Sequence, residues 1–205
     1  MVKKKPSLST EEKIISAARK VFLKKGMEGA RMQEIADEAG INKAMLHYYF
    51  RSKDKLFEFI FQETISKLFP HFETILDSNK DLFEKIRLVV KGYIDIIAEN
   101  PFLPLFVMNA INKDTGLSVK EMLVQQKPKF FSRFVEEIEK AVRKGQIKKV
   151  NAPSILINLI SMCAFPFIAK PMIAGVLDIN EKNYAALIEK RKTEVADFII
   201  AAIKK

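Results

Sequence analysis

The chain has 205 residues, 35 Lys/Arg against 25 Asp/Glu, and a formal charge of +10. Apolar residues make up 48% and charged residues 29%, which is ordinary for a folded protein and excludes wholesale disorder. Only 7 Gly and no alternating Val/Ile/Thr segments argue against a sandwich, a dinucleotide-binding sheet or a phosphate-loop enzyme, and one cysteine, Cys163, excludes an internal disulfide.

Residues 1–53 hold 12 Lys/Arg and 6 Asp/Glu but only two of the 16 Phe, Phe22 and Phe50. The pattern predicts a small basic module, residues 1–53, and a greasier one, residues 54–205. A basic module attracts polyanions, chiefly nucleic acid, although lysines also simply solvate helix faces. Met1 to Pro6 is charged with no apolar run behind it, and the apolar stretch Ile155–Ala169 is interrupted by Asn158, Ser161 and Pro166. Neither reads as a signal peptide or a membrane span, so a cytoplasmic location is expected.

Thr10 to Lys25 reads as an amphipathic helix with Ile14, Ala18, Val21 and Phe22 on one face. Ser9 and Glu12 form a capping box, and Gly26 is the stop. A short helix from Arg31 to Ala39 repeats Met32, Ile35, Ala36 and Ala39, and Gly40 ends it. Asn42 caps a third helix, Lys43 to Phe50. Two short helices across Gly40-Ile41 make a helix-turn-helix. Ile41, Leu46 and Phe50 are expected to point inward. Lys43, Ala44, His47 and Tyr48 form an outward stripe, with Asn42 at its start and Tyr49 beside it. A cation among aromatics on an outer face suits the major groove, where bases present donors, acceptors and methyls. The alternative for the two tyrosines is packing against the next helix. Ser52 caps a fourth helix whose first turn, with Lys53, is expected to hold a DNA phosphate.

The run from Gly26 to Leu56, with Ile35-Ala36, Ala39-Gly40-Ile41, Lys43, the aromatics ending at Phe50, and Ser52-Lys53 before Leu56, resembles the TetR family of transcriptional regulators. The resemblance covers about 50 residues, roughly a quarter of the chain. It implies an all-α homodimer: an N-terminal three-helix DNA-binding domain, then a larger helical ligand-binding and dimerisation domain. It also implies a repressor released from its operator by a small molecule. The family places Ser or Thr at the start of helix two, where this chain has Ala30-Arg31, so Arg31 would supply the phosphate contact by charge while the cap is lost. Ala44 and Met45 stand where the family has Gly and Thr, and His47 where it has Tyr.

Beyond Ser52 the pattern predicts helices over Ser52–Phe69, with Pro70 as a break or kink and a short continuation to Asp77, then Asp81–Glu99, a segment to Asn112, and Val119–Gln126. Lys129–Lys144, Ala152–Lys170 and Lys182–Ile203 follow. The last two are so apolar that they are expected to pair with their twins in a two-fold four-helix bundle, through Leu159, Ile160, Cys163, Val195, Phe198 and Ile199, or else to form an internal core. Phe61, Phe69, Phe72, Phe102, Phe106, Phe131, Phe134, Met162 and Phe165 either line a cavity for an apolar or amphipathic effector or are plain core. With His47 and His71 the only histidines and Cys163 in an apolar helix, no catalytic or metal constellation is legible, and no cofactor is expected. The competing reading is a DNA-binding regulator without a small-molecule effector, controlled by a protein partner or acting as an activator.

Overall fold

The computed structural model describes residues 9–112 and 129–205. The expected turn at Asp114-Thr115-Gly116 and the helix at Val119–Gln126 lie outside them. The described residues form ten helices and one isolated bridge, Ile147 to Lys204. The chain divides into two compact units, one ending at Glu63 and the other beginning at Thr64.

The first unit holds α1 (Thr10–Gly29), α2 (Met32–Ala39), α3 (Lys43–Tyr49) and the start of α4 (Lys53–Asp77). The capping box at Ser9 is closed: the hydroxyl accepts from Glu12 N at 3.2 Å and the Glu12 carboxylate accepts from Ser9 N at 2.7 Å. Gly26 does leave the helical region, with φ 68°, but one more turn follows to Gly29. Gly40 takes the left-handed conformation, φ 67°, and Ile41 N then reaches back to Ala36 O at 3.0 Å. That closed stop lets α3 start with only three residues between it and the end of α2. Ile14, Ala18, Phe22, Ile35, Ala36, Leu46, Leu56 and Phe57 form the core of this unit.

In the second unit, α4 runs on through Pro70 to Asp77, where a break or a kink was expected, so the chain stays helical across the proline. An interior proline costs about 3 kcal/mol. The aromatics on either side offset it, since Phe72 is fully buried and Phe69 lies 5.4 Å from Phe131. Then follow α5 (Leu82–Glu99), α6 (Leu103–Asn112), α7 (Lys129–Arg143), α8 (Ala152–Ile168), α9 (Lys170–Val176) and α10 (Glu181–Ile203). The core joins Phe72, Val89, Phe130, Phe134, Leu159, Cys163, Val195 and Ile199. Lys85 of α5 is buried and its charge is met by Glu137 of α7 at 3.1 Å. Lys192 of α10 reaches Asp95 of α5 at 2.6 Å.

The expected helix to Lys170 stops at Ile168, and α9 departs at 76°. Pro166 has no N–H, so the carbonyl four residues earlier, Met162, loses its helical partner. Arg191 of α10 donates to that carbonyl at 2.8 Å, and the Tyr184 hydroxyl donates to Pro166 O. Two α10 side chains thus satisfy the carbonyls freed at the break, and Pro171 opens the next helix. No single helix of the described residues is long and apolar enough to cross a membrane.

Candidate nucleic-acid interface

Helix α3 has two chemically distinct sides. Leu46 is 0% exposed and Phe50 is buried, so both seat the helix on the core. Ile41, expected beside them, is half-buried. Lys43, Ala44, His47, Tyr48 and Tyr49 are all exposed, Tyr48 at 84% and Tyr49 at 42%. The two rings meet edge to face at 5.6 Å, which orders them without removing them from solvent. Asn42 caps the helix, its Oδ1 accepting from Met45 N at 2.7 Å.

Around this face, cations differ in what already occupies them. Lys20 pairs with Glu38 at 2.8 Å and Lys25 with Glu34 at 2.7 Å, so both are spent tying α1 to α2. The Lys25 hydrogen bond holds the Glu34 carboxyl below its usual value, and Lys20 does the same for Glu38. Arg31 and Lys43 are exposed and have no ion pair among the described residues. Arg31 is the N-cap residue of α2 and makes no side-chain cap bond. Lys53 differs from the expectation. Its ammonium donates to Ala30 O at 3.1 Å and Glu28 O at 3.3 Å, so it ties the start of α4 to the end of α1 rather than standing free beside a phosphate site. Ser52 does cap α4, accepting from Lys55 N at 3.1 Å.

The second-unit residues expected at a ligand cavity behave unequally. Phe69, Phe72, Phe131 and Phe134 gather around Phe130: Phe72 lies 4.9 Å from it, Phe131 5.5 Å and Phe134 5.9 Å. Met162 packs against the same cluster and Phe102 is half-buried. Phe165 instead stands 51% exposed on the outside of α8. Phe61 is buried in the first unit, and the side chain of Phe106 lies outside the described set. A hollow of about 300 Å³ between the start of α5 and the end of α7 is lined by Lys80, Leu82, Phe83, Lys140, Lys144 and others, and shares no residue with the expected set.

The expected dimer residues also divide. Leu159, Cys163, Val195 and Ile199 are turned into the chain's own core, and burial pushes the Cys163 thiol up to about 12. They are unavailable to a partner, because a 3.6-residue period places them on the inner faces of α8 and α10. Ile160 is half-buried, while Phe198 at 64% and Ile157 at 61% face solvent. Ile157 and the exposed side of Phe165 escaped the sequence reading because α8 is apolar all round, which gives no moment to orient it.

A three-helix unit of this kind, with a capped, outward-facing third helix, is a helix-turn-helix of the kind that DNA-binding transcription regulators carry. Residues 14–60 match the family model described as bacterial regulatory proteins, tetR family. The chain is 26% identical to the probable HTH-type transcriptional regulator YttP of Bacillus subtilis over 83% of each chain. Its fold is shared by the ketosteroid transcriptional regulator KstR2 of Mycobacterium tuberculosis (TM-score 0.75, 13% identity, 97% of each chain). It is also shared by AibR, solved with isovaleryl coenzyme A and operator DNA (TM-score 0.64, 17% identity, 81% of this chain and 97% of that one). Residues 14–60 thus match the TetR family of transcriptional regulators, and the helical fold of the chain is that of the solved regulators.

Proposed function

We propose that the protein is a cytoplasmic repressor that binds a palindromic operator as a homodimer and is released by an apolar or amphipathic small molecule. The observation that carries the DNA half of this reading is Tyr48, 84% exposed beside Lys43 and His47 while Leu46 behind it is fully buried. An exposed aromatic costs solvation unless a partner covers it, and a face lined with cations and hydroxyls suits the anionic edge of a duplex. The contacts are assigned to Arg31, Asn42, Lys43, Ala44, His47, Tyr48 and Tyr49. Lys53 acts at one remove, by holding α1 against the start of α4. Repression follows from occupying the operator.

Dimerisation is assigned to the outward faces of α8 and α10. Arg191 meets Met162 and Tyr184 meets Pro166, so the two helices run antiparallel. They leave Ile157, Ile160, Phe165 and Phe198 for a twin copy, with each face meeting itself about a two-fold axis. Such a dimer presents two α3 helices about 34 Å apart, one turn of duplex. The effector reading rests on the aromatic cluster around Phe130 in the second unit. It is supported by AibR, which carries an acyl thioester in the same fold.

The experiment is a footprint. Purified protein selects sites from a randomised duplex library, and hydroxyl-radical cleavage maps the contacts. Two protected patches one helical turn apart are expected, with affinity falling steeply between 50 and 200 mM salt through counterion release. A single patch refutes the two-fold assembly, and no enrichment refutes DNA binding by α3.

A further inference from the structure

We infer that His47 makes α3 select an exposed amino group on the base-pair edge it faces, adenine N6 or cytosine N4, and reject guanine and thymine there. The inference rests on the reading that α3 enters the major groove, and it adds what chemistry one position of the operator must offer. The Nδ1 atom of His47 lies 3.2 Å from the carbonyl oxygen of Arg51, in the turn that follows α3. A carbonyl oxygen only accepts, so the bond places the ring proton on Nδ1. In the neutral ring the outward nitrogen, Nε2, then carries a lone pair and no proton. Rotating the ring by half a turn would put a carbon against Arg51 O and forfeit the bond. The tautomer is therefore fixed by the backbone rather than chosen by the DNA.

The neighbours on this face sharpen the point. Lys43 only donates, Ala44 has no polar side-chain atom, and the hydroxyls of Tyr48 and Tyr49 donate or accept. Each of these tolerates an acceptor on the base. The Nε2 atom of His47 does not. In the major groove, guanine N7 and O6 and thymine O4 are acceptors, and only adenine N6 and cytosine N4 donate. An acceptor placed against an acceptor leaves both lone pairs unmatched, whereas an amino group completes the bond. A tyrosine at the same place would accept either edge. The substitution of His for the family's Tyr therefore converts a permissive contact into a selective one.

The test uses the full-length protein and a randomised duplex library at pH 8, selected in parallel with wild type, His47→Ala and His47→Lys. His47 is exposed, so both variants are expected to melt as wild type does. The wild-type sites should contain one position per half-site held to A or C on one strand. His47→Ala should flatten that position and leave the others, and His47→Lys, an obligate donor, should turn it to G. In the selected duplex, replacing that adenine by nebularine, or that cytosine by 2-pyrimidinone, removes only the amino group. Wild type should lose about five- to tenfold in affinity, and His47→Ala should lose nothing further. A position held to G or T that depends on His47, or a site preference untouched by His47→Ala, overturns the inference while leaving DNA binding intact. Failure of wild type to enrich any sequence overturns the DNA-binding reading and this inference together.

Discussion

Helices α3 and α10 each leave a large aromatic in solvent, Tyr48 at the one and Phe198 at the other, and the two exposures mean different things. Around Tyr48 stand Lys43, His47, Asn42 and a second phenol, all able to exchange hydrogen bonds with a polar, anionic surface. Phe198 has no hydrogen-bonding atom. The large apolar side chains exposed on the helix it packs beside are Ile157 and Phe165. The first face needs a wet, charged partner and the second a dry one. The degree of exposure separates neither, and the chemistry of the neighbours separates both.

The comparison breaks most completely if the seat of α3 is removed. Leu46→Ala deletes a fully buried side chain from a short helix, and a loss of about 2–5 kcal/mol is expected by denaturant titration, with duplex binding lost as the unit unfolds. Unchanged stability would mean that Leu46 does not hold α3. On the outer faces of α8 and α10, the double variant Phe165→Glu/Phe198→Glu should convert a dimer to a folded monomer, weakening self-association at least about 100-fold by sedimentation. A persistent dimer would place the twin contact elsewhere.

The inner side of α10 gives a smaller effect. Arg191→Leu leaves the Met162 carbonyl without its donor, at a cost of about 1–3 kcal/mol in thermal or denaturant melts. The effect should vanish in the background of Pro166→Ala, which restores the N–H that the arginine replaces. The smallest effect is on pH. The carboxyls of Glu34 and Glu38 are held low by Lys25 and Lys20, and that of Asp77 by the Arg133 hydrogen bond. A depressed carboxyl stabilises the folded state above its unfolded value and loses that stabilisation as pH falls through its folded value. Melting temperature should therefore be flat above about pH 5 and fall below about pH 4, where model carboxyls take up protons. Glu34→Gln and Glu38→Gln should shrink the fall. A rise in stability on acidification would contradict these pairings.

The first unit was largely legible because each of its signals is local. The Ser9 box, the Gly40 stop, the Asn42 cap and the i, i+4 stripe of α3 act within one or two turns, and the periodicity of α3 separates Leu46 from His47 without knowledge of the rest. What failed there is tertiary: whether Lys53 points to solvent depends on two carbonyls more than twenty residues earlier. In the second unit the local signals conflict with packing. Pro70 reads as a break or kink, yet the helix continues through it beside the buried Phe72. Pro166 sits in a helix that ends two residues later, since its freed carbonyl finds Arg191, twenty-nine residues away. For the dimer face, α8 is uniformly apolar, so nothing in its pattern says that Leu159 turns in and Ile157 out.

The central claim, that the outer face of α3 is the DNA-reading surface, is tested most directly by Tyr48→Ala/Tyr49→Ala. Its affinity for a duplex selected by the wild-type protein should be measured by fluorescence anisotropy beside its melting curve. The account predicts a loss of about 100-fold or more in affinity, with melting temperature and self-association unchanged. Wild-type affinity in a folded double variant would contradict it.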